Sequence, residues 1–280
     1  MVRIITDSAA DISIKEAQEL SLDIIPMKVN FGDEEYIDGI TLSSQQFFEK
    51  LIESDTLPKT SQIPPFSFVE AFQKYPDDDI ICITISKKLS GSYNNALVTA
   101  REFKNVYVVD SSNVTVGENI LVRYALKLAK ENLSVKQIVD KLENKKKSIR
   151  LIGLLDTLKY LYKGGRISKV TAVFGDMLRI KPVVEIKDGK VGLIGKARGS
   201  KQGHNYLRTL LNNTNGIDFT LPVALAYSGL SDILLNKYID DSSDLYPDQR
   251  ILIKTQLGST IGTHIGPGAI ALAFFEKENK

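Results

Sequence analysis

Short apolar runs alternate with amphipathic segments through the first half of the chain. Of all the sequence features, this alternation most constrains the possible folds. The apolar runs have the length of strands, and the segments between them have the length of helices. Four runs are predicted to be strands: Val2–Thr6, Ile24–Phe31, Asp79–Ile85 and Asn105–Asp110. Strands that alternate with helices favour an α/β fold, with a mostly parallel sheet and helices on both faces. In such sheets, ligands usually bind beyond the carboxyl ends of the strands.

Three predicted helices have recognisable starting signals. Ser13, Ser43 and Ser134 are each followed three residues later by Glu or Gln. This spacing is typical of a capping box, in which the hydroxyl and the longer side chain satisfy the free N–H groups of the first turn. We therefore predict that a helix begins directly after each of these serines.

The second half of the chain has a different pattern. Val183–Lys187 and Lys190–Gly195 flank Asp188-Gly189, a dipeptide typical of a tight hairpin turn. Three further predicted strands are Leu221–Tyr227, Arg250–Thr255 and Ala269–Glu276. A hairpin followed by strands and single helices favours a mixed sheet. We predict an N-terminal domain over 1–150 and a C-terminal mixed α/β domain over 151–280, packed closely enough to leave a cleft between them.

The composition excludes several functional classes. Of the 280 residues, 43% are hydrophobic and 25% are charged, which is ordinary for a globular protein. The formal net charge of +2 provides no field that would attract nucleic acid or an anionic membrane, so neither is expected as a partner. No stretch approaches the roughly 20 apolar residues of a membrane span. We predict a cytoplasmic protein.

The chain has few side chains of the kinds that bind transition metals. The chain has two histidines and one cysteine, which cannot easily build a transition-metal site. The cysteine, Cys82, lies in an apolar run and is interpreted as a small buried hydrophobe. We expect neither a metal nor another cofactor.

Two hydroxyl-rich segments are candidates for a binding site. Lys59–Gln62 precedes Pro64-Pro65, and its hydroxyls either cap a helix that starts near Pro65 or bind an anion; the residues alone favour capping. The second segment, Ser86–Asn94, contains a Ser-Gly-Ser turn that enters a predicted helix. Such a turn exposes backbone N–H groups beside two hydroxyls, which suits a carboxylate or a phosphate. Its spacing fits neither a P-loop, a dinucleotide-binding loop nor the nucleophile elbow of hydrolases.

Other polar segments leave their roles open. Thr6–Asp11 follows the first strand and is interpreted as a cap for the next helix. The glycines of Lys163–Ser168 and Gly258–Gly268 suit a packed turn as well as a binding loop. For His264, in the second of these segments, a structural and a functional role are equally open. No general base is evident beside the hydroxyls, so the residues favour holding an anion over breaking a bond.

The segments that carry a family resemblance are Thr6–Asp11, Asp38-Gly39, Thr60-Ser61-Gln62, Leu89–Tyr93, Val109-Asp110-Ser111, Leu158–Ser168, Ile180-Lys181-Pro182 and Thr263–Ala269. In their order and spacing they resemble the DegV family of bacterial lipid-binding proteins over nearly the whole chain. No single segment is specific, but the combination is. Two positions depart from the family pattern: Ile63 follows Thr-Ser-Gln where the family often has proline, and Ala271 stands where glycine is common.

The resemblance implies a two-domain α/β protein that holds a long-chain fatty acid in a tunnel between its domains. It implies that Thr60 and Ser90 hold the fatty acid carboxylate, with Ser61, Gly91 and Ser92 alongside. Family members include the binding subunit of bacterial fatty acid kinase. That subunit has no enzymatic activity of its own and presents its fatty acid to a separate ATP-dependent kinase, and the acyl phosphate feeds phospholipid synthesis.

Three cationic or dipolar residues are further candidates. Arg198 and His264 are hypothesised to stabilise an acyl phosphate or to contact the kinase. Arg166 is a candidate for the same role, or alternatively a structural residue that ties its loop to a carbonyl group or to Asp176.

Two alternative functions stay open at this point. The first is an acyl hydrolase or transferase that uses Ser90 or Ser92 as nucleophile and His264 as base. The second is a binding module for another small anion, such as a phosphorylated sugar, which would have a polar pocket.

Overall fold

The computed structural model describes residues 1–131, 133–168, 180–246 and 248–278. In chain order its strands and helices are β1 (Val2–Asp7), α1 (Ile14–Leu20), β2 (Asp23–Ile25), β3 (Lys28–Phe31), β4 (Glu34–Ile37), α2 (Ser44–Glu53), β5 (Lys59–Ser61), α3 (Pro65–Gln73), β6 (Asp79–Thr84), α4 (Ser92–Ala100), β7 (Val106–Asp110), α5 (Thr115–Ala129), α6 (Val135–Lys145), β8 (Ile149–Leu154), α7 (Lys159–Lys163), β9 (Ile180–Lys187), β10 (Lys190–Arg198), α8 (Gly199–Asn212), β11 (Val223–Tyr227), α9 (Ile233–Asp241), β12 (Leu252–Gln256), α10 (Ser259–Ile265) and β13 (Ile270–Phe275).

The first sheet is parallel, with the strand order β2-β1-β6-β7. The side chains of Ile80–Ile83 in β6 are completely buried, as expected of a central strand in a parallel sheet. The predicted α/β fold with a parallel sheet is therefore confirmed, and β1, β6 and β7 lie within a residue or two of their predicted bounds.

The predicted strand over Ile24–Phe31 is wrong in one respect, because the chain divides there into two strands in different sheets. β2 joins the parallel sheet, whereas β3 is the centre of a small antiparallel sheet with the order β4-β3-β5. Pro26 lies between them and has no N–H group to donate to a strand partner, so the ladder is interrupted. β4 and β5 are short and polar, and the apolar pattern did not predict them.

The C-terminal sheet is mixed, with the strand order β10-β9-β8-β13-β11-β12. The predicted hairpin is confirmed: β9 and β10 are antiparallel, and Asp188 and Gly189 have φ values of 50° and 76°, as a tight turn requires. β8 was not predicted. It runs across the predicted domain boundary at residue 150, and that division stays a prediction.

The predicted helix starts are confirmed for all three serines, and two of them form the complete capping box. Ser43 and Ser134 each form both hydrogen bonds of a capping box, with Gln46 and Gln137 respectively. Ser13 caps α1 by accepting a hydrogen bond from the Glu16 N–H (3.2 Å), while the Glu16 carboxylate binds Arg123. None of the helices in the described ranges is long and apolar enough to cross a membrane.

Alternate residues of the mixed sheet face two different environments. Ile152 and Leu154 of β8 point into a core that lies beneath α8 and α9. Leu151 and Gly153, which have the opposite orientation in the pleat, line a cavity against the N-terminal half. One face of this sheet is therefore core and the other is the wall of a cavity.

Helix α10 is held at its N-terminus by two buried carboxylates from the N-terminal half. The Oδ1 atom of Asp11 accepts a hydrogen bond from the Gly258 N–H (2.7 Å), and the Oδ1 atom of Asp38 accepts from the N–H and the hydroxyl of Ser259 (2.9 and 2.6 Å). In the middle of the helix, Gly262 packs so closely on the rings of two buried phenylalanines that a Cβ atom would collide with them. These contacts fix α10 against both halves of the molecule.

The carboxylates around this junction are buried, and burial raises their pKa values. Loss of hydration raises the pKa of Asp7 to about 7 and that of Asp11 to about 8, and the neighbouring Asp38 adds to both increases. Burial also raises the pKa of Glu118, which lies in the same interior. The folded protein therefore binds protons at these sites that the unfolded chain would release.

We expect the stability of the protein to depend on pH through Asp11. The raised pKa of Asp11 adds to the free energy of unfolding. This contribution is complete below about pH 4 and is lost as the pH rises to about 8, because in that range only the unfolded chain releases the Asp11 proton. Asp11→Asn keeps an oxygen acceptor for the Gly258 N–H but cannot ionise. The free energy of unfolding, measured with denaturant between pH 5 and 8.5, should fall less steeply in Asp11→Asn than in wild type. The exposed Asp33→Asn is the control, and equal slopes in the two variants would contradict this account.

Candidate functional site

A largely apolar cavity lies between the carboxyl ends of the parallel strands and the free face of the mixed sheet. It has an empty volume of about 890 Å³, including the part that opens to solvent. Its apolar lining consists of Met27, Ile85, Leu89, Val114, Leu151, Leu155, Leu161, Val184, Ile186, Val191, Leu257, Ile261, Ile265, Ala269 and Ala271. The position agrees with the rule that α/β sheets bind ligands beyond the carboxyl ends of their strands.

Six of the polar lining residues belong to four separate segments of the chain. They are Thr60, Ser61, Gln62, Ser90, Arg166 and His264. They come from β5 and the residue after it, from the turn before α4, from the segment after α7 and from α10. We call these six residues the polar cluster. Five of them are predicted from the sequence as site residues: Thr60, Ser61, Ser90, Arg166 and His264.

Thr60 and His264 are hydrogen-bonded partners across the two halves of the chain, with 2.8 Å between Oγ1 and Nε2. The other ring nitrogen of His264, Nδ1, is buried and has no hydrogen-bond partner within the described ranges. It faces Gly164, where a Cβ atom would collide with the ring. Because an unpaired buried N–H is rarer than an unpaired buried acceptor, we assign the ring proton to Nε2. The Thr60 oxygen then accepts from His264, and the Thr60 hydroxyl proton can point into the cavity.

His264 is a neutral side chain at physiological pH. Burial lowers its pKa to about 4, and the nearby positive charge of Arg166 contributes in the same direction. His264 therefore acts as a dipole at the polar cluster and not as a cation.

Ser90 is positioned by its neighbours in the Ser-Gly-Ser turn. Its Oγ atom lies 3.0 Å from the Oγ of Ser92 and accepts a hydrogen bond from the Ser92 N–H (3.3 Å). Ser92 is completely buried and accepts from the Ile63 N–H (3.1 Å), so it ties this turn to the segment that carries Thr60. Gly91 lies directly beneath the side chain of Gln62, which leaves no room for a Cβ atom. Ser92 and Gly91 thus support the polar cluster from outside the cavity lining.

Arg166 is a half-buried cation that contacts backbone carbonyl groups. It donates hydrogen bonds to the carbonyl oxygen of Leu89 (3.1 and 3.3 Å) and to that of Gly164 (2.5 Å). Its carbonyl contacts agree with one of the two structural roles predicted for it; Asp176, the other predicted partner, lies outside the described residues. No carboxylate of the described ranges forms an ion pair with Arg166. Among the described residues, its charge is therefore not neutralised by an ion pair.

The two predictions that polar segments cap a following helix have different outcomes. The preference for capping by Thr60 and Ser61 is wrong, because α3 begins after Pro64 without a side-chain cap. Thr60 bonds His264 instead, 204 positions away along the chain. By contrast, Asp7 does cap the short helical turn that follows β1, with 2.9 Å from its carboxylate to the Ala9 N–H.

Arg198 is exposed at the end of β10 and does not line the cavity.

Sequence reasoning does not single out two residues that lie at the site. Gln62 belongs to two of the segments identified in the sequence but has no individual role predicted for it, yet its side chain covers Gly91 and lines the cavity. Gly153 lines the cavity from β8, a strand that was not predicted at all. Within the described ranges, no three His, Cys, Asp or Glu side chains form a group that could hold a metal ion.

A largely apolar cavity with a few hydroxyl-bearing residues and one cation in its lining is typical of a binding protein for a small amphipathic anion. A sequence model described as an uncharacterised protein of the DegV family matches residues 1–277. The chain therefore belongs to the DegV family, and the resemblance seen in its sequence segments is confirmed.

Relatives and solved structures agree with this assignment. A DegV domain-containing protein of Caldanaerobacter subterraneus is 33% identical over 99% of both chains. A DegV family protein from Thermus thermophilus, whose solved structure describes fatty acid binding, is 27% identical with a TM-score of 0.87 over 99% of both chains. The fatty acid kinase (Fak) B3 protein of Streptococcus pneumoniae, solved with linoleic acid, shares the fold at 20% identity. Its TM-score is 0.86, over 99% of this chain and 100% of that one.

We expect Arg166→Gln to raise the pKa of His264, because it removes the positive charge that disfavours the imidazolium form. Arg166→Lys, which keeps the charge, should have a smaller effect. The chain has two histidines, so both can be followed by NMR titration of their ring protons in protein freed of bound small molecules. His204, buried beneath α9, serves as an internal reference whose pKa should not move. An unchanged His264 pKa in Arg166→Gln would show that Arg166 does not act on the ring.

Proposed function

We propose that the protein binds one long-chain fatty acid, with the acyl chain in the apolar cavity and the carboxylate at the polar cluster. The observation that carries this proposal is the combination of an extended aliphatic lining with two hydroxyl-bearing lining residues, Thr60 and Ser90, and with Arg166, which forms no ion pair with a described carboxylate. The fatty acid binding described for the Thermus thermophilus protein supports it. A phosphorylated sugar, the other small anion considered, would find few hydrogen-bond partners on these aliphatic walls.

The energetics of such a ligand suit the cavity. Burial of an acyl chain contributes about 0.8 kcal/mol for each methylene, so the tail supplies most of the affinity. The carboxylate has to be compensated only in part, by hydrogen bonds from Thr60 and Ser90 that are strengthened by its charge. Arg166 adds a favourable electrostatic contribution from a nearby position, and the neutral His264 fixes the orientation of the Thr60 hydroxyl.

We further propose that the protein has no catalytic activity of its own and presents its fatty acid to a separate ATP-dependent kinase. Hydroxyl donors leave the carboxylate more nucleophilic toward ATP than a direct arginine ion pair would. The acyl phosphate product carries more negative charge, which Arg166 and His264 would help to hold. The exposure of Arg198 supports the hypothesis that it contacts the kinase. The shared fold with the Streptococcus pneumoniae kinase protein supports this role. A role in phospholipid synthesis and the cytoplasmic location stay predictions.

The alternative acyl hydrolase or transferase receives less support from the geometry. His264 bonds Thr60, and no hydrogen bond joins it to Ser90 or Ser92 in the part of the chain that is described. No carboxylate of the described residues orients its Nδ1 atom, and a pKa of about 4 makes it a weak base at neutral pH. Turnover of an acyl ester by the isolated protein, abolished in His264→Ala, would establish the alternative.

The first test is organic extraction of the purified, denatured protein followed by mass spectrometry. We expect a near-stoichiometric long-chain fatty acid in the extract. A protein that yields none, and that also fails to take up fatty acid added to the folded protein, would overturn the proposed function.

The double variant Thr60→Val with Ser90→Ala should release most of the fatty acid while the protein stays folded. Each lost hydroxyl removes a hydrogen bond to a charged group, worth about 1.5–3 kcal/mol, so the two substitutions together should lower the affinity by at least about a hundredfold. The affinity is measured by titration of the stripped protein with a fluorescent fatty acid. The matched control is Ser54→Ala with Thr56→Val, which removes two hydroxyls that bond each other in the loop before β5. Full binding by the Thr60 and Ser90 double variant would contradict the head-group assignment.

A further inference from the structure

We propose that Gly153 on β8 and Ala271 on β13 form a shallow channel in the cavity wall that selects the acyl chain by its length. This inference rests on the proposed binding of a fatty acid and adds a specificity determinant to it. Both residues line the cavity, and they are direct neighbours across two antiparallel strands.

The register of the sheet places the smallest side chains side by side in the cavity wall. Gly153 pairs with Ala271 on one side and with Val184 on the other. Two positions away along β8, Leu151 lines the same wall, and Leu155 does so just beyond the other end of the strand. The wall is therefore bulky on both sides along the strand and low at Gly153 and Ala271, where a ligand can approach the backbone.

The local backbone and packing do not require glycine at position 153. Its φ angle is not in the positive range that favours glycine. A Cβ atom there would meet its nearest neighbours, Val184 Cγ2 and Leu155 Cδ2, at 3.4 and 3.6 Å, which are ordinary contact distances. The buried Gly262 is different, because a Cβ atom there would collide with the ring of Phe47.

Glycine destabilises a strand, and at position 153 neither the backbone conformation nor the packing requires it. A glycine within a strand often marks a place where a ligand approaches the backbone closely. A methyl group added at Gly153 would touch Val184 and Leu155 on one side and enter the cavity on the other. It would occupy space that the acyl chain needs. Chains that reach the channel would lose affinity, and chains that end before it would not.

The test compares chain-length profiles of Gly153→Ala and Gly153→Val with that of wild type. Each stripped protein is equilibrated with an equimolar mixture of laurate, myristate, palmitate and stearate, repurified, extracted and analysed by mass spectrometry. For Gly153→Ala the ratio of bound stearate to laurate should fall about fourfold, the equilibrium equivalent of one buried methylene. Gly153→Val should shift the profile further toward the short chains.

Gly192→Ala is the matched control. Gly192 lies in β10 of the same sheet and does not line the cavity, and a Cβ atom there would meet only the Glu185 carbonyl oxygen, at 3.9 Å. Its profile should equal that of wild type. Ala271→Gly removes a methyl from the channel without adding bulk and should raise the ratio of stearate to laurate, which keeps the proposal testable if Gly153→Val does not fold.

Two results would overturn the inference while leaving fatty acid binding intact. One is an unchanged profile in both Gly153 variants, and the other is an equal loss of all four chain lengths. If wild type binds none of the four acids, the proposed function itself fails.

Discussion

The buried carboxylates of Asp11 and Asp38 accept the hydrogen bonds of the Gly258 and Ser259 N–H groups, and much of the site depends on this junction. It fixes the N-terminus of α10, a short helix between β12 and β13, against loops of the N-terminal half. α10 in turn places Ile261 and His264 in the cavity wall. Without these hydrogen bonds a helix of seven residues would have little stability of its own, and His264 would lose its position beside Thr60.

The polar cluster combines groups whose charges are set by their surroundings. Burial keeps His264 neutral, whereas Arg166 stays charged although only carbonyl oxygens accept its described hydrogen bonds. The cluster therefore has one net positive charge and hydroxyls that can donate into the cavity. An anion entering it would meet donors that are already oriented, so little reorganisation is needed on binding.

Local patterns predicted those features that depend on neighbouring residues in the chain. The capping boxes at Ser43 and Ser134 and the hairpin at Asp188-Gly189 follow from short-range hydrogen bonding and backbone preference, and the structure contains all three. The division at Pro26 was also readable in principle from its missing N–H group. The pairing of Thr60 with His264 was not, because it joins residues 204 positions apart and each has a local alternative.

The sequence by itself determined the class of fold, the family and the set of hydroxyl-bearing segments, since these depend on periodicity, on turn chemistry and on the order of short segments. Only the tertiary structure decided which of those hydroxyls face the cavity: Thr60 and Ser90 line it, whereas Ser92 is buried behind them. It also decided that Arg166 has carbonyl partners and that Gly153 opens the wall beside Ala271. These properties arise from the register of strands and the packing of two halves of the chain, and no local pattern encodes distances across such an interface.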